Sequence, residues 1–188
     1  LYETVGKVPF MPRYPTPLTP VQTILYFVQM AILPPILEEA LFRGVIMQSL
    51  RRFGDGFSLA VSSLLFALVH GNLVQAPNAL LAGLVLGYFA LVTGSLVTAI
   101  AMHFVNNALS AIFTIAAVYL PTQAYEALNF AVMPVYFGLG LLGVALMIGL
   151  NRGFPRLADS DCGMGKAKRY LGFYTTPLAL VLLALMVY

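Results

Sequence analysis

Apolar segments of membrane-spanning length follow one another along most of the chain. A helix needs roughly 20 apolar residues to cross a hydrocarbon core of about 30 Å. Such segments predict an all-α fold, a polytopic transmembrane bundle of about six helices with any active site buried between them. The predicted segments are residues 19–52, 57–70, 77–92, 95–118, 129–150 and 171–188.

The composition supports a membrane protein and excludes several functions. Of 188 residues, 60% are hydrophobic and only 9% are charged, which is typical of a polytopic membrane protein rather than a soluble domain. The basic residues lie in loops and not along a groove with interleaved aromatic side chains, so we expect no nucleic-acid partner. Cys162 is the single cysteine, which excludes an internal disulfide and a cysteine-based metal site.

The first residues differ from the rest of the chain. Residues 1–18 contain Pro9, Pro12, Pro15 and Pro17, and proline fixes φ and removes a hydrogen-bond donor. We therefore interpret residues 1–18 as an extended lead-in at the membrane surface, with a helix beginning at Thr19 and Pro20. Residues 19–188 are predicted to form one transmembrane domain, whose motif-bearing core covers about residues 20–150.

The distribution of Lys and Arg predicts the orientation in the membrane. If the Arg51 and Arg52 end of the first helix is cytoplasmic, strict alternation places the 151–170 loop on the same side. That side then holds seven basic residues, and the opposite side holds only Lys7 and Arg13. Because cytoplasmic loops carry an excess of basic residues, we predict that the loops at 51–55 and 151–170 are cytoplasmic.

Glycines inside the apolar segments predict close contacts between helices. Gly83 and Gly87 have the small-xxx-small spacing that lets helix backbones approach. The sequence "GLGLLG" at residues 138–143 matches a dinucleotide-binding pattern, but no strand precedes it. We interpret both sets of glycines as helix-packing positions.

Three charged residues lie inside the first apolar segment, in the sequence "PPILEEALFRGVI". A charge at a helix centre costs about 2.5–3.5 kcal/mol, so Glu38, Glu39 and Arg43 together cost on the order of 8 kcal/mol if unpaired. Glu39 and Arg43 are four residues apart, which predicts an ion pair on one helix face. Glu38 is rotated by about 100° from Glu39 and has no cation four residues on, so we predict that it is unpaired.

Both histidines of the chain, His70 and His103, also lie in apolar segments. Asn106 and Asn107 follow His103 at three and four residues, so either amide can share its helix face. Counting along the helices from their inferred cytoplasmic ends places Glu38, His70 and His103 at interior depths that permit a shared site.

These polar groups are the parts of an amide hydrolase. A carboxylate and a histidine that meet at one water can deprotonate it, and a second histidine and an amide can stabilise the oxyanion that follows. No serine or cysteine has an evident nucleophile setting, which favours direct attack by water. Three alternatives stay open: a structural polar cluster, a zinc site formed by Glu38, His70 and His103, and a proton relay in a transporter.

Three sequences carry a family resemblance. "EEALFR" at 38–43, "FALVH" at 66–70 and "HFVNN" at 103–107 resemble, in this order, the motifs of the CAAX prenyl endopeptidase and bacteriocin-processing family, the CPBP or Abi family. Each motif is short, but three in order on apolar helices are specific. The resemblance covers about residues 20–150.

The resemblance implies a membrane-embedded endopeptidase. In this interpretation Glu38 is the general base on the attacking water and is assisted by His70. His103 and Asn107 form the oxyanion hole, and Glu39 and Arg43 orient the site. The resemblance also implies metal-free chemistry, so no cofactor is expected, although zinc held by Glu38, His70 and His103 is the alternative.

The implied partners are membrane lipid and a membrane-associated peptide or prenylated protein as substrate. Families of this kind also include immunity-type proteins. The alternative function is therefore a non-catalytic membrane scaffold or bacteriocin-immunity protein that retains the motifs.

Overall fold

The computed structural model describes residues 18–71, 74–151, 154–159 and 163–176. Every regular element in these ranges is helical, and the predicted all-α fold of about six helices is confirmed. The predictions for residues 1–17, for Cys162 and for residues 177–188 lie outside the described residues. The helices are α1 Pro20–Phe53, α2 Asp55–Val69, α3 Ala76–Thr93, α4 Leu96–Tyr119, α5 Thr122–Asn151 and α6 Lys166–Tyr174.

Four of these helices are long and apolar enough to cross a membrane: α1, α3, α4 and α5 over its residues Thr122–Leu150. Helix α2 is a shorter apolar helix. Helix α5 begins at Thr122 and not at the predicted residue 129. The polar sequence before residue 129 contains good helix formers, Ala, Glu, Gln and Leu, and extends the helix without being apolar.

Helix α1 begins where the sequence predicts. The Thr19 hydroxyl accepts a hydrogen bond from the Gln22 N–H at 3.3 Å, and the Gln22 side chain accepts one from the Thr19 N–H at 2.9 Å. This capping box supplies partners for two N–H groups that the helix itself leaves unpaired. Pro20 occupies the first helical position, where its missing N–H has no cost.

The irregular turns of α1 lie on both sides of the proline pair Pro34 and Pro35. The helix continues through Pro34 and Pro35, while π-helical turns occupy Val28–Ile32 and Ala40–Met47. Because proline has no N–H, the Met30 carbonyl loses the donors that residues 34 and 35 would supply. Such widened turns are frequent at functional sites.

The chain divides into two compact units, Leu1–Leu33 with Val105–Phe154, and Pro34–Phe104 with Pro155–Tyr188. In the first unit, the Thr23 hydroxyl lies 3.0 Å from the hydroxyl of Tyr119. The Phe113 ring also packs against the ring of Tyr125, with centroids 6.3 Å apart.

In the second unit, α2 packs along α3 through the predicted glycines. A Cβ added to Gly83 would lie 3.1 Å from the Cα and Cβ of Ser63, and one added to Gly87 would lie 2.6 Å from the Cδ1 of Leu59. The predicted close approach at these two glycines is therefore confirmed. At Gly138, Gly140 and Gly143 an added Cβ has no described neighbour within 4 Å, so the same prediction for them finds no support.

The turn between α1 and α2 is held by Asp55. Its Oδ1 accepts a hydrogen bond from Arg51 Nε at 2.8 Å, and its Oδ2 accepts one from the Ala158 N–H at 3.3 Å. The Asp55 N–H donates to the Ala158 carbonyl at 2.9 Å. Gly54 makes the turn at φ 107°, where side chains are disfavoured. These bonds set the start of α2, the helix that ends at His70.

We predict that Gly83→Val lowers the free energy of unfolding by about 1–3 kcal/mol, because the new methyl groups must displace the Ser63 backbone. Unfolding in detergent, followed by circular dichroism, measures the effect. Gly140→Val is the matched control, since its added Cβ meets open space. Equal destabilisation by the two variants would contradict the close approach of α2 and α3.

Candidate active site

Glu39 is the centre of a buried polar cluster in the second unit. Its side chain is fully buried, and one oxygen, Oε1, accepts hydrogen bonds from Arg43 Nη1 at 2.9 Å and His103 Nδ1 at 2.8 Å. The predicted ion pair of Glu39 and Arg43 is therefore confirmed. The contact with His103 was not predicted, because it joins helices α1 and α4 across 64 positions of sequence.

Arg43 extends this cluster to two further helices. Its Nη2 donates to the Gly83 carbonyl of α3 at 3.0 Å, and its guanidinium lies 4.5 Å from the centre of the Phe66 ring of α2. A buried charge is tolerated when it is paired and hydrogen-bonded, and an aromatic face adds attraction. Arg43 is 1% exposed, so these contacts replace its hydration.

Phe66 is a site residue to which we assigned no role from the sequence. Its buried ring makes edge contacts with three other rings, those of Phe42 at 5.3 Å, His70 at 4.9 Å and His103 at 5.8 Å. The sequence contained a signal, since Phe66 lies four residues before His70 and shares its helix face. Phe66 packs both histidines and Arg43 against one apolar surface.

The contact with Glu39 determines which nitrogen of His103 carries a proton. An ionised carboxylate only accepts hydrogen bonds, so Nδ1 must be the donor to Glu39. The other nitrogen, Nε2, lies 3.9 Å from Oε2 of Glu38. His103 is 6% exposed and is thus held between the two glutamates.

Glu38 is the carboxylate with an unsatisfied oxygen that faces this histidine. Its side chain is partly exposed, but Oε2 is buried and has no hydrogen-bond partner among the described residues. The distance of 3.9 Å to His103 Nε2 is too long for a direct hydrogen bond. A water about 2.8 Å from each atom can bridge them.

His70 ends α2 and is oriented by its own helix. Its Nδ1 lies 2.7 Å from the Phe66 carbonyl, which can only accept, so Nδ1 is the donor and Nε2 is the acceptor. Among the described contacts His70 makes no hydrogen bond or ion pair with Glu38. The histidine with a described contact to Glu38 is His103, and the assistance of Glu38 by His70 stays a prediction.

Asn107 belongs to the first unit, where its amide has a backbone partner. Its Nδ2 donates to the Met30 carbonyl at 3.1 Å, the carbonyl that lost its helical donors to proline. Asn106 donates in turn to the Asn107 Oδ1 at 3.3 Å. An amide has two N–H donors, so the bond to Met30 uses one of them.

In the part of the chain that the structure describes, no three His, Cys, Asp or Glu side chains come close enough to hold a metal ion. The set of Glu38, His70 and His103 weighed as zinc ligands is therefore not assembled here. What the cluster does contain is one buried carboxylate oxygen, Glu38 Oε2, and one imidazole nitrogen, His103 Nε2, that lie 3.9 Å apart.

Comparison with known proteins agrees with the resemblance of the three motifs. Residues 20–109 match the family model described as type II CAAX prenyl endopeptidase, Rce1-like. No curated protein and no solved structure matches the chain. The matched segment contains all six residues singled out as site residues. Together with four helices suited to cross a membrane, the match makes this an integral membrane protein. Residues 20–109, just under half of the chain, are thus similar to the Rce1-like family of type II CAAX prenyl endopeptidases, which are proteases.

Proposed function

We propose that the protein is an intramembrane endopeptidase that hydrolyses a peptide bond of a membrane-associated or lipidated protein or peptide, using a water activated by Glu38. The family supports the reaction class. The observation that carries the finer proposal is the Glu38 Oε2 atom, which is buried, lacks a protein partner and lies 3.9 Å from an imidazole nitrogen.

The two glutamates have different tasks in this proposal. Glu39 is fully buried and holds Arg43 and His103 through Oε1, although its Oε2, like that of Glu38, has no hydrogen-bond partner among the described residues. The Glu38 side chain is 29% exposed, so Glu38 and not Glu39 is accessible to a water and a substrate. Glu38 is therefore the general base, and Glu39 and Arg43 orient the site. The family resemblance further suggests that His70 assists Glu38 and that His103 and Asn107 stabilise the oxyanion.

The surroundings of Glu38 favour an apolar substrate. Leu37, Leu41 and Val45 form a stripe at helical spacing on α1, and each is about half exposed or more. A peptide that reaches Glu38 meets this apolar surface, which suits a segment held in or at the membrane. A prenylated peptide has this character, and the surrounding lipid is the second partner.

We predict that Glu38→Gln lowers kcat by about 10²–10⁴-fold, because glutamine keeps the shape of the side chain but cannot accept a proton. The assay is cleavage of a fluorogenic peptide with a farnesylated cysteine near its C-terminus, in proteoliposomes. Glu126→Gln is the matched control, since Glu126 is an exposed glutamate of α5 outside the cluster.

Equal activity of wild type and Glu38→Gln would refute the proposed mechanism. Absence of cleavage by the wild type, together with retained biological function of Glu38→Gln, would instead favour the scaffold or immunity protein. A farnesylated and an unmodified peptide of the same sequence, compared by KM, test whether the lipid group contributes to recognition.

We also propose that the reaction needs no metal. The polar groups at Glu38 suffice for proton transfer, and the guanidinium of Arg43 already neutralises Glu39. Dialysis against a chelator should leave kcat unchanged within about twofold, and elemental analysis should find no stoichiometric zinc. Zinc at one equivalent per chain, with activity lost on chelation and restored by zinc, would replace this mechanism with a metal-assisted one.

For orientation, we propose that the basic loops at 51–55 and 151–170 face the cytoplasm, from the excess of Lys and Arg on that side. Arg156 is exposed, so Arg156→Cys in a Cys162→Ser background gives one accessible thiol. A membrane-impermeant maleimide should label it in inside-out vesicles and not in intact cells. Labelling in intact cells would reverse the orientation.

A further inference from the structure

We propose that His103 is the general acid that protonates the leaving amine, and that Glu39 is the positioning residue that keeps His103 able to do so. This proposal rests on the proposed peptidase function. It goes further because it assigns the second proton transfer of the reaction, which oxyanion stabilisation alone does not supply.

The contacts of the His103 imidazole determine which of its nitrogens can exchange a proton. Glu39 Oε1 accepts from His103 Nδ1 at 2.8 Å, so Nδ1 keeps its proton whether His103 is neutral or charged. Any proton that His103 exchanges is therefore carried on Nε2. That nitrogen lies 3.9 Å from the Glu38 Oε2 atom, the site of the proposed base.

The net charge of the buried polar cluster limits how many protons Glu38 and His103 can share. Glu39 and Arg43 form a buried pair that is neutral overall. Glu38 and His103 are also neutral together when they share one proton, either as carboxylate and imidazolium or as carboxylic acid and imidazole. Any other number of protons on Glu38 and His103 leaves a net charge inside the membrane, which is costly. The cluster therefore favours one mobile proton between Glu38 Oε2 and His103 Nε2.

The reaction starts with Glu38 as carboxylate and His103 as imidazolium. Water between the two groups gives one proton to Glu38 as its oxygen bonds to the substrate carbonyl carbon. The tetrahedral intermediate then breaks its C–N bond, and His103 Nε2–H gives its proton to the leaving nitrogen. The products are a carboxylic acid and an amine, and the site is left as carboxylic acid and neutral imidazole.

The site returns to its starting state by one proton transfer. Glu38 gives its proton to His103 Nε2 through the next bound water, since 3.9 Å is suited to one bridging water. The atoms balance without a further reactant. The other charged and titratable groups that face the pair are Glu39, Arg43 and His70, and none of them needs to change its charge.

A pair of substrates with the same acyl part separates this role from oxyanion stabilisation. One substrate is a peptide amide, whose amine must be protonated to leave, and the other is a p-nitrophenyl ester, whose phenolate leaves without a proton. Because His103 is also proposed as an oxyanion donor, we predict that His103→Gln lowers kcat on both substrates and lowers it at least about tenfold more on the amide than on the ester. Equal losses on both substrates would overturn the proposal, because oxyanion stabilisation alone serves both reactions alike.

Two further variants complete the test. Asn107→Ala should lower kcat on amide and ester by a similar factor, as expected for an oxyanion donor. Glu38→Gln should lower both. If Glu38→Gln leaves both rates unchanged, the proposed function fails. If Glu38→Gln lowers both rates but His103→Gln shows no selective amide defect, the proposed function stands and only the general-acid role of His103 fails.

The positioning role of Glu39 has its own readout. Glu39→Gln should reproduce the selective amide defect of His103→Gln, since a neutral amide can also donate to Nδ1 and place the proton on the wrong nitrogen. Glu39→Asp, which keeps the carboxylate, should restore part of the amide rate. A Glu39→Gln enzyme with unchanged ratio of amide to ester rates would contradict the role. Where His103→Gln fails to fold by circular dichroism, His103→Asn replaces it.

Discussion

One carboxylate oxygen, Oε1 of Glu39, is the interaction on which the rest of the site depends. It accepts from Arg43 of its own helix and from His103 of α4. Through Arg43 it also reaches the Gly83 carbonyl of α3 and the Phe66 ring of α2. Removing one partner of such a buried pair leaves an uncompensated charge, which costs about 3–5 kcal/mol. The contacts of this one oxygen therefore place four helices around the two functional groups.

The chemistry follows from what this arrangement leaves accessible. Glu39 and Arg43 neutralise each other and are buried, although Glu39 Oε2 and Arg43 Nε have no hydrogen-bond partner among the described residues. Glu38 is partly exposed, and its Oε2 lies 3.9 Å from His103 Nε2. Groups that can exchange one proton without changing the net charge are suited to work inside a membrane. The peptidase reaction that we propose thus needs only a local proton shuttle and a bound water.

The sequence predicted the parts of this site that depend on local spacing. The Glu39 and Arg43 pair, the helix start at Thr19 and the approach at Gly83 each follow from residues within one or two helical turns or from a packing rule. The pairing of Glu39 with His103 was not accessible, because it depends on how α1 and α4 pack. Likewise, only the structure places the π-helical turns beside the proline pair and the Asn107 contact with Met30.

The most direct test of the account is the protonation state of His103, and the chain is well suited to it because it has only two histidines. Nitrogen-15 NMR of the protein in lipid, labelled at histidine, with His70→Gln to assign the signals, measures each imidazole nitrogen separately. The account predicts a protonated Nδ1 for His103 at every pH at which the protein is folded, and a change of this signal in Glu39→Gln. A neutral His103 with its proton on Nε2 and a bare Nδ1 would contradict it.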